Sequence, residues 1–186
     1  MVAGRSAALG AWLGWAREAP ENGAHALEAR PVAASDEAFL RALYADTREP
    51  AMRATGWPAS RCRNFLDQQF DELQRQHRRR HADALCLLLL VQGSPIGRLS
   101  WQAAPRQATL IELSLVRPWR GCGVGSQVMR GLTADADRRG QAIDLHVEPD
   151  SPACSWVQRF GFEAALPQPS LHLHLRRPPM AASLNA

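Results

Sequence analysis

Apolar positions recur along the chain with two periods, and the period decides the element at each stretch. Leu27 to Val32 and Leu85 to Val91 crowd apolar residues into short blocks, which predicts strands. The second block is continuous, as in a strand covered on both faces. Phe39, Leu40, Leu43 and Tyr44 are spaced for one face of a helix. Ser35 is placed to cap it, with Asp36 and Glu37 in a first turn where acids suit the dipole. Glu49-Pro50 predicts a break and Thr55-Gly56-Trp57-Pro58 a loop. Cys62, Phe65, Leu66, Phe70 and Leu73 line a second helix, which ends near Arg78-Arg79-Arg80, cations suited to a helix C-terminus. After the turn Gln92-Gly93-Ser94-Pro95 come strands over Ile96–Gln102 and Ala108–Val116. Val128, Met129, Leu132 and Ala136 form the stripe of a helix from Ser126 to Arg139, which Gly140 stops. Ala142–Val147 predicts a strand, and Ser151–Arg159 a short helix ended by Phe160-Gly161-Phe162. His and Leu alternate over Ser170–Leu175 as the final strand. The predicted order is β-α-α-β-β-β-α-β-α-β-β, an α/β fold.

The 186 residues suffice for one domain with a full core. The pattern places it at residues 27–177, after an N-terminal extension over 1–26 and before a flexible C-terminal tail over 178–186. The extension carries the decapeptide AALGAWLGWA, too short to span a bilayer. It is expected to be loosely ordered or helical, with Trp12 and Trp15 packed on the domain or a partner. No membrane partner is expected. All 22 basic residues are Arg, so lysine chemistry (a Schiff base, lysine self-acetylation) is excluded. A net charge of +4 suits a polyanionic ligand but is too mild to argue for nucleic acid, and none is expected. Cys62, Cys86, Cys122 and Cys154 lie far apart without metal-ligand spacing. Reduced thiols in a cytoplasmic protein are the expectation, with no metal.

The chemistry concentrates between the strand ending at Val116 and the helix after it. Gly121, Gly123 and Gly125 stand at every second position. A loop without Cβ atoms can turn its N–H groups inward as an anion nest, and the helix N-terminus behind it adds partial positive charge. Such a device holds a phosphate. A Walker loop requires a Lys after the last glycine, and the chain has none. A dinucleotide fingerprint requires a third Gly or Ala where Ser126 sits. Asp144 follows at about the ribose-binding distance of ~20 residues, but inside its strand and after two helices that precede the hairpin.

The remaining pattern, Arg/Gln-x-x-Gly-x-Gly/Ala after a strand, resembles the pyrophosphate-binding signature of the GNAT acyltransferase superfamily. Arg120, Gly123 and Gly125 fall on its defining positions, with the approach Leu115-Val116-Arg117-Pro118-Trp119. Leu145-His146-Val147-Glu148, Ser151-Pro152-Ala153 and Arg159-Phe160-Gly161-Phe162 are similar to the family's later strand, helix start and Gly-Phe ending. Phe39-Leu40-x-x-Leu43-Tyr44, Gly56-Trp57 and Phe65-x-x-Gln68-Gln69-Phe70 resemble one bacterial branch.

That resemblance implies a mixed central sheet splayed between the strands at 108–116 and 142–147. It implies acetyl-CoA as cosubstrate, an amine acceptor, and acetyl transfer to a primary amine of a small molecule or peptide. A homodimer is left open. The pantetheine arm is expected along Leu115 and Val116, with Ser151 where a family Asn contacts it. The pyrophosphate is expected on the N–H groups of Arg120, Gly121, Cys122, Gly123, Val124, Gly125 and Ser126, with or without the Arg120 side chain. Glu112, the one acid in its strand, is the expected general base, sharing a face with Ser114 and Val116. Asp144, His146 and Glu148 share the face of another strand, which suggests a water-filled cleft with His146 as an alternative base. His172 and His174 fit a half-exposed strand without a metal. Val157 stands where the family usually offers a Tyr to protonate the leaving thiolate. That leaves unassisted departure, another donor, or a domain that binds acyl-CoA without turning it over. Arg48, Glu49, Arg53 and Trp57, in the loop Thr47–Pro58, are expected to line the acceptor site.

Overall fold

Seven strands and four α-helices alternate in a computed structural model that describes residues 26–165 and 171–180. In chain order they are β1 (Leu27–Pro31), α1 (Glu37–Ala54), α2 (Ala59–Arg80), β2 (Leu85–Val91), β3 (Ser94–Ala103) and β4 (Gln107–Leu115). There follow α3 (Val124–Arg138), β5 (Ala142–Val147), α4 (Pro152–Gln158), β6 (Glu163–Ala164) and β7 (Leu173–Arg177). Short 3₁₀ turns precede α1 (Ala34–Asp36) and follow β4 (Arg117–Trp119). The sheet order is β1-β2-β3-β4-β5-β7-β6, with β4 and β5 parallel and β5, β7 and β6 antiparallel to their neighbours. This is the α/β order that the pattern predicts. The stretch with Trp12 and Trp15 lies outside the described residues, as do 181–186. Among the described residues no helix is long and apolar enough to cross a membrane.

Two expectations are corrected by the backbone. Pro50 does not break α1, which runs through it to Ala54 although the ring removes one helical N–H. The last strand starts at Leu173 rather than Ser170, and Leu171 is 89% exposed.

The chain gathers into two compact units, one holding residues up to Leu99 with Leu113–Val124, the other Ser100–Glu112 with residues from Gly125 on. In the first, Leu87 to Val91 are all buried, so β2 is covered on both faces. Leu40 and Phe70 pack against Leu88 and Leu90, with Val32, Phe39 and Tyr44 at the margin. Arg41 ties the helices together, bonding Glu37 on α1 at 2.8 Å and Asp71 on α2 at 2.5 Å.

Arg30 bonds both oxygens of Asp36, at 2.7 and 2.8 Å, and the Ala33 N–H adds a third bond at 2.8 Å. The guanidinium hydrogen bonds, then that N–H, hold the Asp36 carboxyl down at about 2. An unfolded Asp titrates near about 3.9, so this contribution to stability is complete above that value and is lost as pH falls towards 2. The thermal deficit of Asp36→Asn is therefore expected to shrink as pH is lowered from about 4 to 2, and a pH-independent deficit contradicts the pairing.

Where β3 and β4 run together the backbones nearly touch. A Cβ on Gly97 stands 2.3 Å from the Ser114 carbonyl oxygen and 2.6 Å from Leu115 Cδ2, and the Val116 N–H donates to Ile96 O at 2.9 Å. Gly97→Ala is expected to lower stability by about 1–3 kcal/mol, measured by denaturant unfolding, because backbone rather than a flexible tip must give way.

In the second unit the expected stripe of α3 is fully buried: Val128, Met129, Leu132 and Ala136 are each 0% exposed. Each of the three larger side chains contributes about 1.5–3 kcal/mol of burial, an upper bound set by the extended-chain reference. Arg177 is buried too. It bonds both oxygens of Asp137 at 2.7 Å and the Phe160 carbonyl at 2.8 Å. Burial pushes the Asp137 carboxyl up, but the Arg177 hydrogen bonds, the Met180 N–H and the guanidinium charge outweigh it and leave the pKa lowered.

Candidate functional site

The apolar alternation of β4 ends at Leu115, and Pro118 then starts the turn Arg117–Trp119, whose missing N–H costs nothing there. Arg120 closes that turn, its own N–H donating to Arg117 O at 3.1 Å. Its guanidinium turns back, with Nε on the Leu115 carbonyl at 2.7 Å and another nitrogen on Asp46 at 2.5 Å. Asp46 also accepts the Arg117 N–H at 3.1 Å, and the Arg117 side chain meets Glu49. The hydrogen bond from Arg117 is the main reason that the Glu49 carboxyl titrates below its ordinary range, despite partial burial. No sequence signal marks Asp46, which looks like any exposed helix acid.

Past Arg120 the main chain is uncommitted. Among the described residues the N–H groups of Gly121, Cys122 and Gly123 have no hydrogen-bond partner. Gly121 and Gly123 sit at φ +75° and +86°, where L side chains are strained, and a Cβ on either meets nothing within 4 Å. Cys122 is exposed, its thiol 3.5 Å from Pro118 O and 3.6 Å from Arg120 O. The helix begins at Val124, two residues earlier than the apolar stripe predicts, so Val124, Gly125 and Ser126 supply first-turn N–H groups that have no helical acceptor. Val124 is 3% exposed and anchors the loop. Free amides, left-handed glycines and a helix start together make a seat for an anion.

Trp156, which the sequence reading passed over, donates its indole N–H to Ser126 Oγ at 3.2 Å, braced by Phe160 at 5.4 Å between ring centroids. Ser151 caps α4, its Oγ accepting the Ala153 N–H at 3.2 Å and its hydroxyl proton still available to donate. Val157 is 2% exposed, a core residue.

Four residue pairs, Gln107↔Ala142 to Leu110↔Leu145, form the β4–β5 ladder, and Glu112 lies two residues past its last rung, half-buried. His146 lies just past that rung on β5 but continues to pair with β7, stacked on His174 with centroids 4.9 Å apart. Of the three polar residues expected on one wet face of β5, His146 and Glu148 are exposed, whereas the Asp144 carboxylate is buried and holds Gln107 at 2.5 Å, His174 at 2.7 Å and Arg176 at 3.6 Å. Its face is polar because its partners are side chains of β4 and β7.

Of the residues expected at an acceptor site, Glu49 lines a cavity. About 400 Å³ in size, it is floored by Ala45, Met52, Cys62 and Leu66 and rimmed by Asp46, Glu49 and Arg117. Arg48 lies over the Tyr44 ring, Arg53 pairs with Glu49, and Trp57 packs against Phe65 beneath Arg61. Periodicity cannot tell which face of a helix end looks inward.

The family whose sequence pattern matches residues 40–162 is the acetyltransferase (GNAT) family. No curated protein sequence matches the chain. Solved structures resemble it in fold. The PaiA N-acetyltransferase of Thermoplasma acidophilum, solved in complex with coenzyme A, shares 15% identity over 82% of this chain and 98% of its own, with a TM-score of 0.60. An acetyltransferase of Thermus thermophilus shares 22% over 82% and 96%, with a TM-score of 0.60. Naa50 of Arabidopsis thaliana, solved with the bisubstrate analogue CoA-Ac-MVNAL, shares 15% over 81% and 97%, with a TM-score of 0.53.

Proposed function

Because the chain belongs to the GNAT family of acetyltransferases, we propose that it moves an acetyl group from acetyl-CoA directly to a primary amine of a small molecule or peptide. The observation that carries this reading is the row of uncommitted N–H groups at Gly121, Cys122 and Gly123, continued by the first turn of α3. These amides fit the diphosphate of coenzyme A without any lysine. The Arg120 side chain, engaged with Asp46 and Leu115, braces the loop.

Leu115 and Val116 flank the pantetheine arm. The Val116 N–H is spent on Ile96, so strand alternation leaves the Leu115 N–H as the donor on the opposite edge. Ser151 contributes its hydroxyl proton to the same arm. The thioester supplies an activated acyl carbon. Glu112 takes a proton from the ammonium form of the acceptor, directly or through water, so that the neutral nitrogen can attack. The new C–N bond forms as the C–S bond breaks, and the second amine proton passes to solvent. Val157 cannot protonate the departing sulfur, which leaves as a thiolate favoured by the partial positive charge at the α3 N-terminus. The four thiols are free, which fits a reducing cytoplasm.

Val157 also favours a second reading, a domain that binds acetyl-CoA without turnover. Calorimetric titration with acetyl-CoA, followed by a free-thiol assay over a panel of amines, separates the two. Binding with amine-dependent thiol release supports the enzyme, binding without release supports the binder, and no binding at all sinks both.

A further inference from the structure

A second cavity, of about 420 Å³, opens at the other end of α1, between the chain after β1, the first turns of α1 and the last half of α2. It shares no residue with the site above. Glu37 and Asp46 are nine residues apart, roughly 14 Å along the helix. Val32, Leu40 and Phe70 give it an apolar wall. Two acids, Glu37 and Asp71, also line it, but both are bonded to the same Arg41 guanidinium, at 2.8 and 2.5 Å, so neither is left to receive a cation. Arg75 is paired with Glu72 at 2.8 Å.

Two groups in the lining lack a counterpart. Arg78 has no ion pair or hydrogen bond among the described residues. Gln74 accepts from Arg98 through its Oε1 at 3.3 Å, which fixes the orientation of the amide, while its Nε2 is buried without a hydrogen-bond partner. The cavity volume is within the range of small-molecule sites.

From this arrangement we infer that the cavity binds a small monocarboxylate with an aliphatic or aromatic body. The carboxylate takes the two parallel N–H donors of Arg78, and the body lies on Val32, Leu40 and Phe70. An amine is disfavoured because both lining acids are already engaged by Arg41. The inference is independent of acetyl transfer, since no residue of the glycine loop takes part.

The test uses phenylacetate as probe, with its neutral amide and phenethylamine as controls, titrated calorimetrically into the full chain without acetyl-CoA. Phenylacetate is expected to bind at one equivalent and at least about tenfold more tightly than either control. Arg78→Gln is expected to weaken it about tenfold or more, and Ala34→Trp, which fills the cavity without changing charge, to do the same. Acetyl-CoA affinity and thermal midpoint of Arg78→Gln are expected to stay at the parent values. Equal binding of acid and amide, tighter binding of the amine, full affinity in Arg78→Gln, or no binding of any probe overturns the assignment.

Discussion

Replacing Gly123 with valine is expected to weaken acetyl-CoA binding by at least about 100-fold, close to 2.7 kcal/mol. The loss has two sources. At φ +86° a β-branched residue costs on the order of 1–3 kcal/mol and drives the loop towards another conformation. Its side chain also occupies the open space beside amides assigned to the diphosphate. Since a Cβ there touches nothing in the protein, the fold itself is expected to survive, with a thermal midpoint near that of the parent. Calorimetry on the variant checks this, with Gly123→Ala as an intermediate case. Affinity kept within about threefold of the parent rejects the main-chain cradle.

Glu112→Gln is expected to cut kcat by about 10²–10⁴-fold while leaving acetyl-CoA affinity nearly unchanged. The amide keeps the shape of the side chain and removes only its ability to accept a proton. Glu112 lies two residues beyond the last β4–β5 pair, where the strands cease to bond each other. Turnover equal to the parent removes Glu112 from the role and shifts attention to a water chain.

The fold was legible wherever one force dominated. Leu85–Val91 and Ala142–Val147 hold to the residue, because apolar density in a short run leaves a strand as the low-energy choice. Gly121 and Gly123 were legible as a loop because they take a conformation other residues avoid. Pro50 misled because its penalty is local, whereas Asp46 and Glu49 in the same stretch are held by Arg120 and Arg117 from over 60 residues away. Asp144 misled for a related reason: a polar position in a strand looks alike whether it meets water, as the exposed His146 and Glu148 do, or Gln107, His174 and Arg176. The His–Leu alternation reads the same from Ser170 as from Leu173, and pairing with β5 alone sets where the strand begins. Of the residues proposed for the site, the glycines and Glu112 stand out in the sequence by residue type. Asp46 and Trp156 do not, since what marks them is a partner distant in sequence.

The bond between Arg120 and Asp46 makes the glycine loop and α1 share one guanidinium. A diphosphate arriving beside that loop sets up a rivalry for it, because two anions then compete for one cation. If the newcomer wins even part of the charge, the helical end that contains Pro50 loses one of its tethers and keeps those to Arg117. Amide exchange at the C-terminal end of α1 is therefore expected to change when acetyl-CoA is added, although no ligand atom reaches that far. Occupancy at the loop is in this way communicated to the rim of the neighbouring cavity, a physical basis for ordered addition of two reactants.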